Sequence, residues 1–141
     1  RNIPVVVHII LGLPGESRET VLRTIDYLNR LPIQGVKLQL LHVLSDSDLA
    51  DLYRAGEYTP LEKEEYITLV GDCIAHLRAD IVLHRLTGDG DKSPLLAPLW
   101  SLRKRDVLNH LHRYLRENHI RQGMSCKIDR SVIYNKPKDV L

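Results

Sequence analysis

The stretch from Val5 to Glu16, VVVHIILGLPGE, restricts the possible folds more than any other part of the chain. An aliphatic run, broken only by His8, extends from Val5 to Leu11 and stops at Gly12. An apolar run of this length, bounded by turn residues, predicts a strand buried on both faces, as in a parallel sheet. Gly12-Leu13-Pro14-Gly15 supplies the turn, since glycine adopts backbone conformations closed to other residues and lets the main chain approach a ligand. Glu16-Ser17 then opens a helical pattern. In α/β folds ligands bind at the carboxyl ends of strands, so this turn marks where a site is expected.

The same alternation continues. In the first strand, Ile3 to Leu11, His8 and Ile10 share a face with Gly12, and Val7, Ile9 and Leu11 share the other. Ser17 to Leu31 is helical, with Val21, Leu22, Ile25, Leu28 and Leu31 near the 3.6-residue period, and Asn29, Pro32 and Gly35 mark its exit. Gly35 to Leu44 reads as a second strand, with Lys37 and Gln39 on one face and Leu38, Leu40 and His42 on the other. Strand, helix and strand make a βαβ unit with parallel strands. Lys37 and Gln39 fit either a solvated edge or water-lined cavity, or a ligand-facing role.

Ser45 to Ala55 is a short helix with Ser47 or Asp48 as N-cap and Gly56 at its end. Thr59-Pro60-Leu61-Glu62 reads as the cap and first turn of a helix reaching about Leu77. Its inward face is Tyr66, Leu69, Val70, Cys73, Ile74 and Leu77, which makes Cys73 a buried, inert thiol. Asp80 to Leu86 is a third strand. The turn after it, Thr87 to Asp91, resembles part of a calcium loop but lacks the closing glutamate. A proline-punctuated link, Ser93 to Trp100, leads to a last helix, Ser101 to Glu117, with Val107, Leu108, Leu111 and Leu115 inward. The tail from Gln122 is polar and basic (Lys127, Arg130, Lys136, Lys138), either a frayed terminus or a partner-binding arm.

Composition narrows the function. At 43% hydrophobic and 27% charged residues the 141-residue chain is an ordinary globular domain, and a net charge of +2 argues for no nucleic-acid partner by itself. No apolar run is long enough to span a membrane, and nothing at the start reads as a signal peptide. Two cysteines form neither a disulfide framework nor a metal knuckle, so a reducing cytoplasm is expected. Beginning at Arg1 and running at once into a strand suggests a piece of a longer protein. The seven histidines lack ligand spacing. His8, His42 and His84 lie on different strands whose parity argues against convergence, so no metal site is expected. There is no G-x-S-x-G and no P-loop lysine.

Five stretches carry a resemblance: His8–Glu16 (HIILGLPGE), Lys37–Leu44 (KLQLLHVL), Ala55–Leu61 (AGEYTPL), Arg85–Gly90 (RLTGDG) and Ala97–Leu102 (APLWSL). From about Ile3 to Gly123 the chain is similar to the carboxyl half of a radical S-adenosylmethionine (SAM) enzyme. It resembles most the uncharacterised Fe–S oxidoreductase branch related to the Elongator catalytic subunit and the oxygen-independent coproporphyrinogen oxidases. The resemblance implies an α/β fold, part of a TIM-like (β/α) partial barrel with about three parallel strands and their helices, plus a carboxyl-terminal helix and tail. Residues 1–88 would be the barrel part, 89–121 a linker and helix, and 122–141 a basic tail. It also implies S-adenosylmethionine near Ile10, Gly12, Pro14, Gly15, Leu41, His42 and Val43, with Lys37, Gln39 and Arg85 facing a substrate pocket.

The family's Cys-x3-Cys-x2-Cys loop, which holds a 4Fe–4S cluster, is absent. The cofactors therefore belong to a parent protein. This chain would be an oxidoreductase fragment with no catalytic residue or metal of its own, inactive without the amino-terminal half. That half would be its first partner, and an exposed strand edge would also allow a homodimer. The alternative is an RNA-binding or structural α/β module; the final helix and tail carry Arg103, Lys104, Arg105, Arg113, Arg116 and Arg121.

Overall fold

The computed structural model describes residues 3–87 and 94–128. Its elements run β1 (Val6–Leu11), α1 (Arg18–Leu28), β2 (Gly35–Leu40), β3 (Val43–Leu44), α2 (Asp48–Arg54), α3 (Lys63–His76), β4 (Val82–Arg85), β5 (Leu95–Ala97), a 3₁₀ turn (Leu99–Leu102) and α4 (Lys104–Glu117). The aliphatic segments β1 and β2 pair in parallel from Val6↔Gly35 to Leu11↔Leu40, and β4 pairs in parallel on the other side of β2. The expected parallel three-stranded α/β sheet is therefore present, with β2 at its centre.

One face of this sheet holds the core. Leu11, Val36, Leu38 and Leu40 meet Val21, Ile25 and Leu28 of α1 and Tyr66, Ile67, Val70, Cys73 and Ile74 of α3. Each fully buried aliphatic side chain contributes about 1.5–3 kcal/mol by leaving water. Val7 and Ile9 join this cluster from β1, and Leu83 and Leu86 join it from β4 and just after. The opposite face is open, with Val6 43% and Ile10 40% exposed. Burial of β1 on both faces, as its apolar run predicts, is therefore not found. Composition records that a face is apolar, not whether this chain supplies its cover.

Beyond shifts of a few residues at the ends of β1, α1, α2 and β4, three boundaries differ from the sequence reading. The second strand stops at Leu40. Beyond it Val43–Leu44 pairs antiparallel with Leu95–Ala97, a strand inside the proline-punctuated link. Val43, Ala50, Tyr58 and Ala97 form a second small core there. Helix α3 is capped by Glu62, not Thr59: the Glu62 N–H donates to Glu65 Oε2 at 2.8 Å in a reciprocal capping box. Helix α4 begins at Lys104, because Ser101 turns its N–H and hydroxyl onto the Pro98 carbonyl. The start of the tail is docked. The Gly123 and Ser125 N–H groups donate to the Ile74 and Ala75 carbonyls, and the Gln122 side chain caps the Arg78 and Ile81 carbonyls. Arg130, Lys136 and Lys138, like Asp89 and Asp91 of the calcium-like turn, lie outside the described residues. No helix is long and apolar enough to cross a membrane among the described residues.

At the amino-terminal end of the strands a polar knot joins the exits of α1 and α3. Asn29 is fully buried; its amide donates to the His76 carbonyl at 2.7 Å and its Oδ1 accepts the Arg78 N–H at 2.8 Å. The buried Arg78 guanidinium donates to the Asn29 and Leu31 carbonyls and pairs with Asp80. On the far side of α3, Gly71 admits α4: a Cβ there would stand 2.8 Å from Cε1 of Tyr114.

Two stability predictions follow from this packing. Asn29→Ala leaves a buried N–H and carbonyl unpaired and is expected to cost about 2–3 kcal/mol in urea unfolding; a loss below a few tenths would show that the knot holds nothing. Gly71→Val forces α3 and α4 apart and is expected to cost about 1–3 kcal/mol, read as a lower midpoint without a changed denaturant slope.

Candidate functional site

The carboxyl end of β1 is held in one shape from three directions. The Leu11 carbonyl accepts the Leu41 N–H at 2.9 Å, which fastens the ends of β1 and β2 together. Gly12 has a φ of +94°, donates its N–H to Glu16 Oε1 at 3.2 Å and accepts the Tyr58 hydroxyl at 2.7 Å on its carbonyl. A Cβ at Gly12 would lie 3.2 Å from Leu61, so both backbone angle and space call for glycine. Leu13 to Glu16 closes by a Glu16 N–H to Leu13 carbonyl bond at 3.0 Å. Pro14 and Gly15, the latter at φ +72°, occupy the two central positions that a type II turn assigns to them. Ser17 then caps α1 through the Thr20 N–H. Tyr58 is buried, which raises its hydroxyl pKa and keeps it a neutral donor.

The end of β2 turns inward. The His42 ring shares a cavity of about 10 Å³ with Leu40, Tyr66, Thr87, Trp100, Ser101 and Val107. Its Nε2 is buried without a hydrogen-bond partner among the described residues. Burial first, and the charge of Lys104 second, lower its pKa, so the neutral imidazole is favoured. The Val43 side chain is fully buried in the second core. Leu41 and His42 are half-buried.

The open face of the sheet carries the polar side chains. Ile10 of β1 is in register with Gln39, and His8 with Lys37. On β4 the register slips between Val36 and Lys37, so that Val36 faces Leu83 while Lys37 faces Arg85, with His84 as the extra residue. Such a bulge redirects side chains. The His84 ring lies over Gly35, in the space a Cβ there would fill. Leu83 and Leu86 pack on the core while His84 and Arg85 are exposed. Lys37, Gln39 and Arg85 thus share the open face with Ile10, while Gly12, Pro14 and Gly15 form its rim. His8 and His84 are two further residues on this face. The parity of β1 already aligned His8 with Ile10; nothing in the sequence marked the bulge that brings in His84. No group of three His, Cys, Asp or Glu side chains converges as a metal site among the described residues.

Three comparisons bear on this geometry. The family model for the radical SAM C-terminal domain matches residues 33–117, more than half of the chain. Over 122 residues the chain is 34% identical to the uncharacterized protein YtqA of Bacillus subtilis, and over 118 residues 33% identical to protein YhcC of Escherichia coli. These matches cover 86% and 84% of the chain but 38% of each relative, so the chain spans little more than a third of their length. Among solved structures it superposes on the archaeal Methanocaldococcus infernus Elp3 with a TM-score of 0.70. That match has 17% identity and covers 85% of this chain and 28% of the other, a likeness of fold. With β2, β4 and all that lies between them inside the matched region, the chain belongs to the radical SAM C-terminal domain family.

Proposed function

We propose that this chain forms one wall of the cavity in a radical S-adenosylmethionine oxidoreductase, with its strand-end rim against the adenosine moiety and its open face against the substrate. The observation that carries this reading is the asymmetry of the sheet: α1 and α3 cover one face, and the other, with Ile10, Lys37, Gln39 and Arg85, is left open. A purine needs an apolar surface and a few fixed polar groups at its edge. The half-exposed Ile10 offers the first; the second lone pair of the Gly12 carbonyl, beyond its bond from Tyr58, and the main chain at Leu41 to Val43 offer the second. His42 and Val43 would contribute through their backbones, because their side chains turn inward. Pro14 and Gly15 fix the turn. When bound, S-adenosylmethionine would supply radical chemistry that no side chain can.

The cysteines do not fit a 4Fe–4S cluster. Cys73 is buried, with its thiol pushed up to about 12, and Cys126 is bonded to the Asn29 amide and the Ile128 carbonyl. Cluster ligands belong in this reading to an amino-terminal half, which would pair with the outer edge of β1 and close the barrel; the chain alone is inactive. A second copy of the chain could take the same edge. A second reading, RNA binding, is favoured by α4, whose outer face aligns Arg105, Asn109, His112, Arg113 and Arg116, all exposed. RNA affinity would then fall steeply with salt.

The cavity-wall reading is tested by titrating adenosine into ¹⁵N-labelled chain. Saturable shifts are expected at Gly12, Gly15 and Leu41 to Val43. Gly12→Ala should weaken them at least tenfold and Leu13→Ala should not. A spectrum indifferent to adenosine would remove the assignment of the rim.

A further inference from the structure

One rung on the open face crosses all three strands. His8 on β1 is in register with Lys37 on β2, and Lys37 with Arg85 on β4. His84 stands beside them, its ring over Gly35. Neighbouring strands are about 4.8 Å apart, so these side chains start within about 10 Å of one another. None of the three strands contains an acidic residue. Lys37 is half-buried and makes no ion pair among the described residues. Like charges placed side by side across a sheet repel, and partial burial weakens the screening that water would provide. The β4 bulge adds to this crowding, since a regular strand would turn either His84 or Arg85 to the core.

We propose that the rung is an anion-recognition site, and that the substrate of this cavity carries a phosphate or carboxylate group seated on Lys37 and Arg85, with His8 and His84 at its sides. A guanidinium beside an ammonium suits such a group: the first can donate two parallel hydrogen bonds, and the second adds a compact charge. The inference rests on the reading of the open face as a cavity wall. The rung lies roughly 7 Å nearer the amino ends of the strands than the Ile10–Gln39 pair. It is therefore a different place from the rim assigned to adenosine.

The test is an NMR titration of the 141-residue chain, first with inorganic phosphate and then with succinate, at an ionic strength held constant with sodium chloride. Saturable shifts are expected at His8, Val36 to Leu38, and His84 to Arg85. Lys37→Gln and Lys37→Met, each checked for native spectral dispersion, should weaken the response at least tenfold. Arg23→Gln, on the exposed face of α1, should leave it unchanged. The relative strengths of the phosphate and succinate responses distinguish the two anion classes. An absent response to both overturns the proposal, as does undiminished binding by both Lys37 variants. Rung shifts produced by S-adenosylmethionine, but by neither anion, overturn it too, since the carboxylate would be the cofactor's own. Adenosine shifts at the rim without anion shifts at the rung would leave the wall reading standing and remove this one; the reverse pattern would do the opposite.

Discussion

Burial of one sheet face by two helices is the constraint from which the rest of this structure follows. Leu11, Val36 and Leu38 have essentially no exposed surface, and they owe this to Ile25 of α1 and to Tyr66, Val70 and Cys73 of α3. A parallel strand cannot reach its neighbour through a tight hairpin; the chain must cross over, and α1 and the α2–α3 segment are the crossings. Once both lie on the same side, alternation along β1 and β2 sends Ile10, Lys37 and Gln39 to the other. The polar face is thus a geometric result of where the apolar face found its cover.

The two ends of the sheet do different work. The amino-terminal end is closed by the Asn29–Arg78–Asp80 knot and by Gln122, which satisfy the carbonyls left at the exits of α1 and α3. The carboxyl-terminal end is braced around its turn: Tyr58 holds the Gly12 carbonyl, Glu16 holds its N–H, and Leu41 ties the strand ends. A buried knot at one end and a braced rim at the other suit a domain that recognises something at its strand ends.

Much of this was legible in the residues because the cause is local. The Val5–Gly12 run, the Pro14–Gly15 turn, the α1 stripe of Val21, Leu22, Ile25 and Leu28, and the burial of Cys73 all follow from period or turn chemistry within a few positions. What escaped depends on distant partners. Val43–Leu44 and Leu95–Ala97 are too short to show a period and become strands only by meeting each other. The β4 bulge is invisible in VLHR, yet it decides that His84 and Arg85 face the same way. The inward turn of His42 depends on Trp100 and Val107, far along the chain. The exposure of Val6 and Ile10 depends on what packs on that side of the sheet, which an apolar run in the sequence does not encode.

On the proposed reading, the open face is one wall of a cavity completed by a cluster-bearing half of the same protein. Reading the frame upstream of Arg1 tests it most directly. A Cys-x3-Cys-x2-Cys loop after a strand pattern, within about 150–200 residues, is the predicted result. A frame that opens close to Arg1, with no such cysteines, would contradict it and leave the open face to another partner.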